Sequence, residues 1–274
     1  MTTALVLGGG GVAGIAWEAG ILTGLRRLGV DLGTADRVVG TSAGSVVGTL
    51  VSTGADLEEA VAHQIAVDTG PPPAVDVEAT MRAFAVMSDP SLDRLEARRR
   101  VGQMALAAAV DHAADRLAAI GERLPIKLWP ERDLLITAVD AATGEFVVWD
   151  RRADVPLVLA VASSCAVPMV FPPVEINGRR YVDGGVRSVT NADLAAGARA
   201  IVVLEPLGAL TPREVLDAEL GEAGAATSYV IHPDEASLAA FGTNVLDPAL
   251  WGPAFRAGLD QAPALAEPIA AVWS

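Results

Sequence analysis

Twice near its start the chain passes from a short apolar run through glycine straight into a longer apolar stretch of helical spacing. The first passage is ALVLGGGGVAG, Ala4 to Gly14, and the second is RVVGTSAGSVV, Arg37 to Val47. A strand that becomes a helix within a few residues has to turn sharply, and glycine removes the Cβ that would obstruct the turn. Ala4–Leu7 and Arg37–Val39 read as strands. Ile15, Ala19, Leu22 and Leu25 mark a helix over Gly14–Leu28, and another follows over Ser42–Ser52. Strand, turn and helix repeated in this order point to an α/β fold.

Further along, Asp56 caps DLEEAVAHQIAV, with Glu59 in the capping-box position. GPPPAVD, Gly70 to Asp76, breaks the pattern, and the chain then reads as helical and more charged from Val77 to about Leu124. Strands return at Leu134–Val139 and Glu145–Trp149, joined by AATG as a hairpin. Val174–Ile176 and Arg179–Val182 flank Asn177-Gly178, the strongest hairpin signal in the chain. Ala200–Leu204 and Tyr229–Ile231 supply further strands, and helix or loop continues to Ser274. The reading is an α/β fold with a largely parallel central sheet, helices on both faces and antiparallel additions. It forms one domain over 1–274, with a helical insertion at about 70–124.

Composition narrows the function classes. With 274 residues, 51% of them hydrophobic and 20% charged, the chain buries a substantial core and is not disordered. A net charge of -14 with no basic block argues against a nucleic-acid partner and leaves any membrane contact to apolar patches or local clusters. MTTALVLGGGG lacks the features of a leader, and no apolar run reaches the ~18 residues of a membrane span. The expected location is cytoplasmic. Cys165, the one cysteine, excludes an internal disulfide and reads as a small core residue.

Two short motifs carry chemistry. Gly40-Thr41-Ser42-Ala43-Gly44 is G-x-S-x-G between a β-run and an apolar helix, the context of a nucleophile elbow. In the plain alternative Ser42 is an N-cap. The loop from Gly8 to Gly14 admits three readings. Gly9, Gly11 and Gly14 formally satisfy a dinucleotide-binding pattern, yet neither Asp31 nor Asp36 ends a clear second strand to supply the ribose acid. Alternatively, N–H groups around Gly10 and Gly11 hold a developing oxyanion at a helix N-terminus. The third reading is a tight turn without a ligand.

A serine nucleophile needs a base. Of the three histidines, His63 and His112 sit in polar helical stretches. His232, after SYVI, would complete a Ser–Asp–His order, but hydrolases of that type place several strands before the elbow. Asp183 is better placed, at the end of RRYVD and before Gly184-Gly185, although Asp-Gly is also a common turn device.

Taken in order, the four-glycine loop, GTSAG and the block ASSCAVPMVFPPVEINGRRYVDGGV, Ala162 to Val186, resemble the patatin-like phospholipase family. The resemblance runs from Ala4 to about Asp193. It implies a three-layer fold and a lipid acyl hydrolase of the phospholipase A, lysophospholipase or carboxylesterase type. Ser42 would be nucleophile and Asp183 its base, with Gly9, Gly10 and Gly11 in the oxyanion loop and Gly40 and Gly44 framing the elbow. No cofactor or metal is required. One departure is Ala13, where the family usually carries Arg or Lys, which makes a neutral ester or lysolipid more plausible. The alternatives are a non-catalytic acyl-ligand binder and a dinucleotide-binding protein. The expected partner is a lipid or small acyl ester, with transient membrane-surface contact. AFAVM and MALAAAV in the insertion suit an acyl pocket or an ordinary packed core, and the Arg94–Arg100 cluster reads as a solvated face.

Overall fold

In the computed structural model, which describes residues 2–108 and 113–273, the two N-terminal apolar runs become adjacent parallel strands, β1 (Thr3–Leu7) and β2 (Arg37–Gly40). Each feeds a helix through its glycines: α1 (Gly11–Arg27) and α2 (Ala43–Thr53). With elements numbered in chain order, β3 (Asp133–Asp140), β7 (Ala200–Leu204) and β8 (Thr227–Ile231) complete a parallel set in the order β3-β2-β1-β7-β8. Antiparallel pairing adds β4 (Phe146–Trp149) and β6 (Arg179–Asp183) to β3, and β5 (Val174–Ile176) to β6. The β5–β6 connection is the expected Asn177-Gly178 turn, both residues having positive φ, 51° and 75°.

Register on β3 decides where the site forms. Strand β4 covers one edge of β3 over Ile136–Val139. Each edge accepts one neighbour per residue, so β2 and β6 share the opposite edge end to end. Gly40 stands opposite Ile136 and Asp183 opposite Ala138. The C-terminal ends of two strands far apart in sequence therefore meet head-on.

Alternation along β1 assigns its faces. Leu5 and Leu7, with Val38, join the larger core beneath α1, α2 and α10 (Trp251–Trp273). Ala4 and Val6, with Val39 and Ile201, point to the other face, packed by Leu216 and Ala223 of α8 (Arg213–Ala223). Burial on both sides is what a parallel strand requires, and it accounts for the unbroken apolar runs. The C-terminal segment, left as helix or loop by the sequence, is the long α10. It packs close to α1 because both supply glycine: a Cβ on Gly20 would collide with the Phe255 carbonyl, and one on Gly258 with the Trp17 carbonyl. Trp17 Nε1 also donates to Gln261 Oε1 at 3.0 Å.

Three helices occupy the 70–124 stretch: α4 (Val77–Met87), α5 (Arg94–Ala107) and α6 (Ala113–Glu122). Asp76 and Asp93 cap the first two, as Asp56 caps α3 (Leu57–Val67), each accepting an N–H three residues on. Ala79, Ala83, Val101 and Ala105 pack over Val139 and Val182 at the antiparallel end of the sheet. The arginine cluster is largely engaged within the protein: Arg99 and Arg100 bond Glu96, and Arg98 donates to the Gly144 carbonyl at 2.8 Å. Remaining helices are α7 (Leu157–Ser164) and α9 (Glu235–Phe241).

Gly20→Val is expected to lower stability by about 2 kcal/mol or more through this helix contact. Gly221→Ala, in α8 where a Cβ meets nothing within 4 Å, should instead gain about 0.5–1 kcal/mol. Urea unfolding of both variants checks the pair.

Candidate active site

The chain leaves β2 through Thr41 and places Ser42 at φ 53°, ψ -116°, a positive φ that a non-glycine residue adopts only when its surroundings impose it. Those surroundings are crowded. A Cβ on Gly44 would collide with the Leu7 carbonyl, and one on Gly40 would lie 2.6 Å from the Gly44 carbonyl oxygen. Backbone bonds lock the turn: the Thr41 N–H donates to the Leu7 carbonyl at 3.0 Å and the Gly44 N–H to the Gly8 carbonyl at 2.9 Å. Ser42 occupies the N-cap position of α2, but its hydroxyl makes no capping bond. The capping reading therefore fails, and the hydroxyl is left for other work.

Asp183 ends β6 and is buried, at 4% exposure. It is not a hairpin residue. It begins a short 3-10 turn, with Oδ1 accepting the Gly185 N–H at 2.7 Å. Gly184 lies against Thr137 of β3 with no room for a Cβ. Oδ2 is buried without a formed hydrogen bond. Burial pushes the Asp183 pKa up to about 6, while the Ser42 hydroxyl, the Gly185 N–H and the Arg116 charge all favour the ionised form. Ser42 is thus the polar side chain facing the unsatisfied oxygen's carboxylate.

Along the glycine loop the N–H groups are not equivalent. Gly9 donates to the Val189 carbonyl at 2.8 Å, so it is no oxyanion donor, and a Cβ there would make only an ordinary contact with the Ser42 Cβ at 3.5 Å. Gly10 and Gly11 N–H groups donate to nothing among the described residues, and Gly11 holds φ 61° at the start of α1. Two free donors and the helix dipole converge there. Ala13 is wholly buried, its N–H bonded to the Val245 carbonyl at 3.0 Å. Neither acid proposed for a ribose is available: Asp31 caps a 3-10 turn through the Gly33 N–H, and Asp36 accepts the Thr3 N–H ahead of β2.

The histidines lie elsewhere. His63 is exposed on α3, His112 falls outside the described residues, and His232 is engaged with Glu205 and Arg213. Several supporting residues escaped the sequence reading. Ser164 Oγ accepts the Ser42 N–H at 2.9 Å, and Cys165 Sγ donates to the Ser42 carbonyl at 3.3 Å. Cys165 is the buried residue expected, but directly beneath Ser42. Thr41 Oγ1 accepts from Thr137 at 2.9 Å and from Asn191 at 3.0 Å, a buried network that joins the Ser42 turn, β3 and the segment holding Gly9. Single hydroxyls and amides of this kind have no spacing signature. Only the ASSC tetrad, at the start of the Ala162–Val186 block, hinted at Ser164 and Cys165.

Two cavities meet at Ser42. One, of about 260 Å³, is mostly apolar, with Ala83, Phe84, Met169 and Leu246 around Asp183 and the glycines. The other, of about 180 Å³, is lined by Gly11, Cys165, Phe171 and the arginines Arg116 and Arg123. The first includes Thr80, Ala83, Phe84 and Met87 of α4, so the 70–124 stretch helps to form it.

Known proteins bear on this arrangement. The chain is 30% identical over 184 residues to uncharacterised NTE family proteins of Mycobacterium tuberculosis and Mycobacterium bovis, which covers 67% of this chain and 42% of theirs. It thus spans less than half the length of those relatives. Among solved structures, VipD from Legionella pneumophila aligns with 97% of this chain and 66% of its own at 15% identity and a TM-score of 0.48. The type III effector ExoU aligns with 96% of this chain and 53% of its own at 16% identity and a TM-score of 0.38. The sequence model of the patatin-like phospholipases matches residues 5–196, from β1 through the Asp183 turn and the Asn191 segment, and the chain belongs to that family.

Proposed function

We propose that the protein is a lipid acyl hydrolase that cleaves carboxylic esters through a Ser42–Asp183 dyad and an acyl-enzyme intermediate. The observation that carries this reading is the pairing of a positive-φ serine, free of any capping bond, with a buried carboxylate whose Oδ2 is unsatisfied. Ser42 Oγ attacks the ester carbonyl while its proton passes to Asp183. The tetrahedral oxyanion forms beside the Gly10 and Gly11 N–H groups. Collapse breaks the bond to the alkoxy oxygen, which takes the proton back from Asp183 and leaves as the alcohol. Water then attacks the acyl-enzyme, with Asp183 as base again, and releases the acid and free Ser42.

An ordinary carboxylate is too weak a base for an alcohol, and the upward shift of Asp183 narrows that gap while leaving the group ionised at neutral pH. The apolar 260 Å³ cavity receives the acyl chain. No helix among the described residues is long and apolar enough to cross a membrane. Val77, Met81 and Phe84, exposed on α4 beside the acyl pocket, suit transient contact with a lipid surface.

Ser42→Ala and Asp183→Asn are each expected to lower p-nitrophenyl ester hydrolysis by about 10³-fold or more. A fluorophosphonate should label Ser42, as located by mass spectrometry. Hydrolysis that persists in Ser42→Ala would favour an acyl-ligand-binding protein with its turnover elsewhere. kcat/KM should rise with pH through a midpoint of about 6 as Asp183 ionises. Stability should move the other way. Because the folded pKa exceeds the unfolded one, the contribution of Asp183 to stability is fully present below pH ~4 and is lost as pH rises through about 6. Asp183→Asn, with no charge to bury, should therefore melt several degrees above wild type at pH ~8 and close to it at pH ~4.

A further inference from the structure

Arg116 of α6 differs from several other arginines in how its charge is met. Arg99, Arg100 and Arg123 each pair with a carboxylate, Arg123 with Asp68 at 3.1 Å. Among the described residues no carboxylate lies within ion-pair distance of Arg116, and its buried Nε has no hydrogen-bond partner. Its guanidinium instead lies over the Phe171 ring, 3.7 Å from the centroid. Stacking fixes the plane of the group and leaves its edge, with the N–H fork, free to meet an anion.

Position gives this edge a use. Arg116 lines the same 180 Å³ cavity as Ser42 and Gly11, and it also lines the open trough of about 1450 Å³ that leads outward past Pro71 and Phe171. Ser42 stands between that cationic cavity and the apolar one. An ester bound with its carbonyl at Ser42 and its acyl chain in the apolar cavity directs its alcohol portion toward Arg116. Acids face the same region. Asp68, in the smaller cavity, is held by Arg123 and by the Trp251 Nε1–H, Asp76 and Asp115 line the trough, with Asp76 capping α4, and Asp183 faces Ser42. Arg116 itself remains charged at neutral pH, although burial lowers its pKa to about 10.

We propose that Arg116 makes the second cavity a subsite for a phosphoryl group on the alcohol side of the scissile ester, and so sets a preference for anionic over neutral head groups. The proposal rests on the acyl-hydrolase reading above. It also reverses the expectation drawn from Ala13: the cation missing from the glycine loop is supplied across the cavity, from the insertion.

The experiment compares a monoacylglycerol phosphate with the monoacylglycerol of the same chain length, for wild type, Arg116→Gln and Arg116→Lys. The ratio of kcat/KM, anionic over neutral, should fall about tenfold or more in Arg116→Gln and be partly retained in Arg116→Lys. A ratio that holds within about twofold while both rates fall together would overturn the proposal, since Arg116 would then act only on the fold or on Asp183. In parallel, calorimetry on Ser42→Ala, with and without Arg116→Gln, measures binding of the two lipids and of inorganic phosphate without turnover. Tighter binding of the phosphorylated lipid that depends on Arg116 supports the subsite even if wild type hydrolyses neither ester, in which case the hydrolase reading alone fails. Equal affinity for both lipids, or Arg116-dependent binding of inorganic phosphate without a lipid preference, overturns the head-group assignment.

Discussion

The edge of β3 opposite β4 carries two strands in succession, and this arrangement is the constraint on which the site depends. Because Gly40 pairs with Ile136 and Asp183 with Ala138, the chain that leaves β2 and the chain that ends β6 must share the small space between them. Neither end can continue straight. Strand β2 escapes through the Ser42 turn and β6 through the 3-10 turn at Gly184. Thr137 sits between these two ends, bonded to Thr41 and against Gly184. Ser42 and Asp183 are brought together by sheet register rather than by any direct sequence relation.

Such a site is held against its own energetic preferences. Ser42 keeps a backbone conformation that costs of order 1–3 kcal/mol, and Asp183 is buried with one oxygen unsatisfied. Both are tolerated because the surrounding structure is over-determined. Bonds from Ser164, Cys165 and Ser45 to the Ser42 backbone, and the close contact of Gly44 with Leu7, leave the turn no relaxed alternative. Local conflicts of this kind between a residue and its surroundings collect at functional sites.

The charges are distributed unevenly around Ser42. The cavity on one side of it is apolar and formed partly by α4, while the cavity on the other is lined by Arg116 of α6 and Arg123 just beyond it. Both cavities draw on the 70–124 stretch. The sheet and its turns thus hold Ser42 and Asp183, and the helices of that stretch shape the space around them.

Much of this was legible in the sequence because it rests on local rules. Glycine runs between apolar strands and helices mark turns that any other residue would block, as Gly40 and Gly44 do, and Asn177-Gly178 fixes a hairpin by its own backbone preference. Alternating burial on both faces of β1 follows from its unbroken apolar run. The sequence therefore determined the α/β class, the glycine-framed turn at Ser42 and the strand end at Asp183. Only the tertiary structure decided that Gly9 has no free N–H, that Cys165 lies under Ser42, and that Arg116 lines the cavity beside it from α6. Those facts depend on contacts between residues tens of positions apart. Local propensity does not encode such contacts; they are set when strands choose their register and helices their packing.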